Sequence, residues 1–214
     1  MDPVTHGLIG ASATQSVSKE DQLWPASILG LVSAMLADVD IFITDASDPL
    51  LNIELHRQFS HSLIFIPIGA LIGAALGWFF FRDKLSFKQI YGFSILGYAT
   101  AGITDTFTSY GTKLFWPFFN DRIAWNLISV FDPLFSILIL GCVFFVLYKK
   151  NPQISWLTWG WIAFYLSIAI VQQQRGEQVA HSIAQQQGHS IDRLVVKPTL
   201  GNQLLWSIRY TYKD

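Results

Sequence analysis

Apolar residues gather into five stretches along the chain: Leu23–Ile43, Leu63–Phe81, Ile90–Phe107, Leu127–Tyr148 and Ile154–Val171. Each is close to the ~20 residues a helix needs to cross the hydrocarbon of a bilayer. A sixth, weaker stretch, Val4–Val17, is rich in Gly, Ala, Ser and Thr. It is short for a span. Its small residues suit close packing against other helices, and an amphipathic helix lying in the membrane interface fits equally. The pattern predicts an all-α membrane protein, a polytopic helical bundle of five or six spans over residues 1–171.

The tail, residues 172–214, is polar and predicts a small extramembranous segment. It opens with Gln172-Gln173-Gln174-Arg175-Gly176-Glu177 and repeats a glutamine run at Gln185–Gln187, which suits a polar helix. Its end, Leu204–Tyr212, has the aromatic and β-branched content of a strand. Leu194-Val195-Val196 could pair with it across the turn residues Pro198–Asn202. No longer repeat is visible.

Composition supports the membrane reading. Of 214 residues, 51% are hydrophobic and only 14% charged, against about 25% charged in a soluble domain. The net charge of −1 removes any electrostatic case for nucleic-acid binding. Basic residues set the orientation. Arg82, Lys84 and Lys88 follow the second strong stretch and Lys149-Lys150 ends the fourth, so both loops belong in the cytoplasm by the positive-inside rule. Residues 44–62, residues 108–126 and the tail then lie outside. The start, Met1-Asp2-Pro3-Val4-Thr5-His6, lacks the basic opening of a cleaved signal peptide. The single cysteine, Cys142, has no partner for an intrachain disulfide and leaves the redox compartment open.

Against this greasy background, Asp38, Asp40, His61, Asp105 and Asp132 stand at the ends of apolar stretches, with His6 and His56 in the segments between. Ionisable groups beside hydrocarbon are expensive and persist when they face one another, a cavity or a metal. A carboxylate at a helix C-terminus is also opposed by the helix dipole, so Asp38, Asp40 and Asp105 would each gain from a cation. On a regular helix, positions two apart point in nearly opposite directions. Either the helix frays at Asp38 and Asp40, or only one of them is a ligand. Ser60 suits a helix N-cap, which would put His61 in a first helical turn with His56 reaching inward from the loop. Asp132-Pro133 reads first as a helix start, and Asp132 could also serve as a base. Phe115–Phe119 suits an interfacial aromatic belt. Lys113 and Arg122, which flank it, could hold an anionic substrate, as could Arg57. His181 and His189 lie in the polar tail and read as solvated. Mixed His/Asp ligation fits zinc, manganese or iron better than calcium, and such sites activate water and stabilise transition-state charge.

Thr5-His6-Gly7, Asp38-x-Asp40, His56-Arg57 with His61-Ser62, Asp105 with Tyr110-Gly111-Thr112, and Pro117-Phe118 together resemble the YdjM-type family over roughly residues 1–150. These are bacterial inner-membrane proteins assigned a metal-dependent hydrolase activity, distantly similar to zinc-dependent phospholipases C and zinc nucleases. The resemblance implies His6, Asp38, Asp40, His56, His61 and Asp105 as metal-site residues. The resulting expectation is a multi-pass enzyme of the bacterial inner membrane with its site and C-terminus on the periplasmic side. A divalent transition metal, zinc first, would act on a phosphoester, lipid-linked given the site's depth. Asp38 or Asp132 would be the base, and Arg57, Lys113 and Arg122 would bind the anionic group. An ion or metal transporter, and a scaffold with a structural metal, are the alternatives. The gathering of ionisable residues at one face argues against the transporter.

Overall fold

A computed structural model describes residues 1–45, 47–48 and 50–213. Helix α1 (Pro3–Val17) starts where the Asp2 side chain accepts from the Thr5 amide at 3.0 Å, with Pro3 in the first turn; proline there gives up no useful donor. After a turn, α2 (Leu23–Leu36) runs back along α1. The two backbones nearly touch, for a Cβ on Gly10 would lie 2.4 Å from the Gly30 carbonyl oxygen. Helix α5 (Phe87–Asp105) joins at the same place, since a Cβ on Gly97 would lie 2.5 Å from that oxygen. Small residues thus let three helices meet backbone to backbone.

α1 is the buried centre of the bundle. Every residue from Thr5 to Gln15 is buried, which is incompatible with a helix lying in the membrane interface with one face in lipid. The loop after α2 carries the short helix α3 (Leu51–Leu55). α4 (Ile66–Phe81) packs on α2 and α5 through Gly69, Gly73 and Gly77, which face Tyr98, Ser33 and Leu29. A capping box between Ser86 and Gln89 opens α5. Its far end leads into an irregular segment, residues 106–132.

Helix α6 (Pro133–Lys149) follows Asp132 and closes on Lys150 in the left-handed conformation. The apolar stretch Leu127–Tyr148 is therefore only partly helical. Asp132 and Pro133 delay the helix, and Leu127 and Ile128 enter the core from extended chain. α7 (Trp156–Gln186) is 31 residues long, about 46 Å. That exceeds the ~30 Å of bilayer hydrocarbon, so its glutamine-rich end continues the last apolar stretch without a break, across position 172. Strands β1 (Ser190–Pro198) and β2 (Trp206–Lys213) form an antiparallel hairpin, with Pro198 opposite Trp206 and a bulge near Ile191. The hairpin lies against α7, where Val196 fills the space over Gly176. It also reaches the segment before α6: Gln203 donates to the Leu127 carbonyl at 2.8 Å.

Among the described residues, three helical segments are long and apolar enough to cross a membrane: Glu20–Phe42, Leu63–Phe81 and Pro152–Gln186. Pro133–Lys149 is apolar but shorter, and α5 carries Gln, Ser, Thr and Gly that lower its hydropathy. Five or six spans is thus more than these criteria support.

Candidate metal centre

One end of the bundle gathers the start of α1, the ends of α2 and α5, and the loop before α4. α2 does not stop as an ordinary helix: its last turn tightens into a 3-10 helix over Ala37–Phe42. The tighter winding sends Asp38 and Asp40 to two different neighbours, and both are buried. On α1, His6 is fully buried, its Nδ1 2.8 Å from Asp38 and its Nε2 3.1 Å from Asp105. His61 precedes the helix rather than entering it, because Ser62 occupies the position before the 3-10 turn Leu63–Phe65. Gly102 on α5 makes room for it, since a Cβ there would sit 2.2 Å from the His61 carbonyl oxygen.

His61 Nε2 stands 3.5 Å from Asp38 Oδ1 and 3.3 Å from Asp105 Oδ2. Among the described residues, His61 Nε2 is buried and has no hydrogen-bond partner, while Asp105 Oδ2 is faced by the Arg57 guanidinium. His6, Asp38, His61 and Asp105 each offer one ligand atom, all within 4.8 Å of one another. Donors around a tetrahedral zinc lie 2.0–2.2 Å from the ion and so stand about 3.4 Å apart. The spacing and the donor types fit a divalent transition metal, and this group could hold one.

Asp40 stands on the other side of the His61 ring. One of its oxygens is 2.8 Å from His56 Nδ1. The other accepts from the Arg57 amide at 2.9 Å and from the Ser60 hydroxyl, and lies 3.5 Å from His61 Nδ1. Ser60 Oγ is also 2.9 Å from His61 Nδ1, and Tyr98 donates to the Ser60 carbonyl at 2.8 Å. Ser60 is therefore no helix cap. It ties a carboxylate to an imidazole, which its place in the sequence did not reveal. Asp40 and His56 fall outside the four-residue group and touch it through His61.

Arg57 is 3% exposed and has φ 58°, a conformation few non-glycine residues adopt. Its Nε lies 2.9 Å from Asp105 Oδ2 and its Nη2 donates to the Met1 carbonyl at 2.7 Å. The Met1 α-ammonium also pairs with Asp105. Burial pulls that ammonium's pKa down, more strongly than Asp105 raises it. At His61, burial opposes the charged form, but the neighbouring carboxylates of Asp38, Asp40 and Asp105 outweigh it, so its pKa is raised. Three buried carboxylates thus gather basic groups around them, as buried charge requires a partner.

The remaining predicted residues lie outside the group. Arg122 donates to the carbonyls of Ile53 and His56 at 3.1 and 2.8 Å and stacks on Tyr110, 4.7 Å from the ring centre. Arg57 covers the same ring at 5.1 Å, so the pair clamps the loop that carries His56. The Lys113 amine has no partner among the described residues; only its backbone is engaged, donating to the Arg57 carbonyl. Asp132 caps α6 through the Phe135 amide at 3.2 Å and accepts from Tyr165 on α7 at 2.5 Å. No hydrogen bond or ion pair among the described residues joins it to the group. In the tail, His189 is half-buried and stacks on Tyr212 at 3.6 Å rather than standing free in solvent.

Comparison with known proteins follows the same line. The family described as YdjM inner membrane protein matches residues 1–176. The chain is 23% identical over 208 residues to the uncharacterized protein YfhP of Bacillus subtilis (strain 168), an alignment that covers 94% of this chain and 62% of that protein. The chain thus spans less than two thirds of the length of this relative. No solved structure matches it.

Proposed function

The chain belongs to the YdjM family of inner-membrane proteins, and from that premise we propose that it is a metal-dependent hydrolase centred on His6, Asp38, His61 and Asp105. The observation that carries the reading is the convergence of four buried ligand atoms within 4.8 Å of one another, among them His61 Nε2, which has no hydrogen-bond partner among the described residues. Zinc is the first choice of metal, because two imidazoles and two carboxylates suit it better than calcium.

A bound divalent metal would lower the pKa of a water molecule and take up charge at a phosphoryl or carbonyl centre. The chain's own residues do the rest. Asp40 and Ser60 hold the His61 ring by Nδ1 and so turn its Nε2 lone pair toward the group, the outer-shell arrangement that fixes a ligand's tautomer. Arg57 supplies a fixed positive charge beside Asp105 that offsets the buried carboxylates of the group. Asp38 is the one group member whose side chain has any exposure, 7% against 0% for the others. It is therefore the carboxylate best placed to accept a proton from attacking water. Asp132 is engaged by its cap and by Tyr165, and Arg122 by loop carbonyls, so neither is given a role in the reaction. The positive-inside pattern supports a periplasmic centre, and the hairpin, which reaches Leu127 and Ser129, would then be periplasmic too.

One observation favours a second reading. Four protein donors fill a tetrahedral shell, as in structural zinc sites, whereas catalytic sites keep a position open. In that case the metal staples α1, α2 and α5 and supports no turnover. The two readings separate in one experiment. Protein purified without chelator carries stoichiometric transition metal, and His61→Ala or Asp105→Asn lowers that content; folded protein without metal overturns both. Loaded protein is then offered phosphodiesters, phosphomonoesters and carboxylic esters. Hydrolysis by the loaded protein that falls in step with metal content in His61→Ala and Asp105→Asn supports the enzyme. Full loading with no hydrolysis leaves the staple. A reporter joined after Asp214 reads as periplasmic; a cytoplasmic signal inverts the orientation.

A further inference from the structure

A recessed cavity of about 220 Å³ lies beside the centre, at the seam between the end of α2 and the start of α4. Leu36 from α2, Val39 from the 3-10 turn that follows it, Phe59 and Phe65 from the loop, and Ile72 from α4 give it apolar walls. Asp40 and Ser60, the two residues that hold His61, form its polar part. Val39 and Ile72 are 50% and 49% exposed, so the cavity continues into the apolar outer surface of two segments that are long and apolar enough to be membrane spans. Val39 also borders a shallow groove over Asp38, formed with Pro3, Met35 and Phe42.

We propose that this cavity is the seat for a hydrocarbon chain of a membrane phospholipid, whose headgroup crosses Val39 to reach Asp38 at the metal centre. The idea rests on the hydrolase reading for the headgroup and on the cavity alone for the chain. A hollow that opens onto bilayer hydrocarbon is not filled by water, because nothing there satisfies water's hydrogen bonds. A lipid chain is the molecule present at that depth. Other apolar hollows exist, such as the groove between α2 and α4 lined by Trp24, Leu76 and Phe80, but that one has no ionisable residue in its lining. The cavity at Asp40 is apolar where a chain would lie and polar where an ester would begin. A centre with its imidazoles fully buried is then approached along the membrane plane, by a substrate that never leaves the bilayer.

The test uses full-length protein in phospholipid vesicles doped with phosphatidic acid carrying a photoreactive diazirine in its acyl chain, with labelled residues mapped by mass spectrometry. Label concentrates in segments 36–43 and 59–72. Ile72→Trp fills the cavity and cuts that label about tenfold, the equivalent of roughly 1.4 kcal/mol of binding. Leu76→Trp, one turn along the same helix and 47% exposed, leaves it unchanged. Helicity by circular dichroism, measured on all three proteins, reports folding, and metal content is measured separately; Ile72→Phe replaces the tryptophan variant should helicity fall. Label spread evenly over the apolar faces of α4, α6 and α7, or indifferent to Ile72, overturns the proposal. Metal-free protein that still labels at the cavity would sink the hydrolase and leave the chain site standing. Metal-loaded protein with even label does the reverse.

Discussion

Helices α1 and α4 are inverted with respect to each other. α1 carries Thr5, His6, Ser12, Thr14 and Gln15, all fully buried. α4 is almost wholly apolar, yet Ile68, Phe79 and Phe80 are 54%, 75% and 80% exposed. A water-soluble protein would do the opposite. In lipid, an apolar side chain gains little by turning inward, because the bilayer is as apolar as any core; packing and polar contacts hold helices together instead. α1 fits that rule residue by residue. Thr14 Oγ1 lies 2.8 Å from the Ala26 carbonyl of α2, and Gln15 reaches Ser27 at 3.0 Å and the Val143 carbonyl of α6 at 3.2 Å. The polar, small-residue helix is the hub, and the greasiest one is the rim.

Three substitutions would break or sharpen that contrast. Gly30→Leu strikes the hub hardest. Its Cβ alone would fall 2.3 Å from the Gly10 carbonyl oxygen and 2.4 Å from Thr14 Oγ1, and backbone cannot step aside as a side chain does. The expected loss exceeds the ~3 kcal/mol typical of overpacking; it would appear as absence of a monodisperse peak in detergent, and a normal peak would refute the three-helix contact. Asp40→Asn has a smaller, local effect. Fold and helicity by circular dichroism stay intact, while metal affinity drops about 10–100-fold, as for other outer-shell carboxylates. Unchanged affinity would remove Asp40 from its role behind His61. Phe80→Leu on the rim is the mildest, within about 0.5 kcal/mol in thermal unfolding; a large loss would mean that α4 faces protein in an assembly rather than lipid.

Part of this site could be read before folding. Asp38 and Asp105 stand out because each ends an apolar stretch where both hydrocarbon and the helix dipole oppose a negative charge. His61 stood out for its place beside such a stretch. The two-residue spacing of Asp38 and Asp40 already required a change of winding or a single ligand, but which of the two joins the group was not legible, because the 3-10 turn at Ala37 leaves no mark in composition. Ser60 looked like a helix cap, yet the helix begins later and its hydroxyl serves Asp40 and His61. Tyr165 carried no signal at all: it sits mid-way along an apolar helix, and only the packing of α7 on α6 brings its hydroxyl to Asp132. Lys113 and Arg122 looked like substrate residues for their charge. Arg122 is occupied by loop carbonyls that no sequence pattern announces.

The order of amino acids by itself determined that this chain lives in a membrane, where most of its helices start and stop, and which side chains are too costly to stand there without partners. Those properties are local: each depends on a run of neighbours and on the solvent around it. Which donors share one point in space, which merely support them, and which helix lies at the centre were decided only in three dimensions. His6, Asp38, His61 and Asp105 are separated by up to 99 residues, and nothing links them until Gly10, Gly30 and Gly97 let three backbones close to contact and draw the helix ends together.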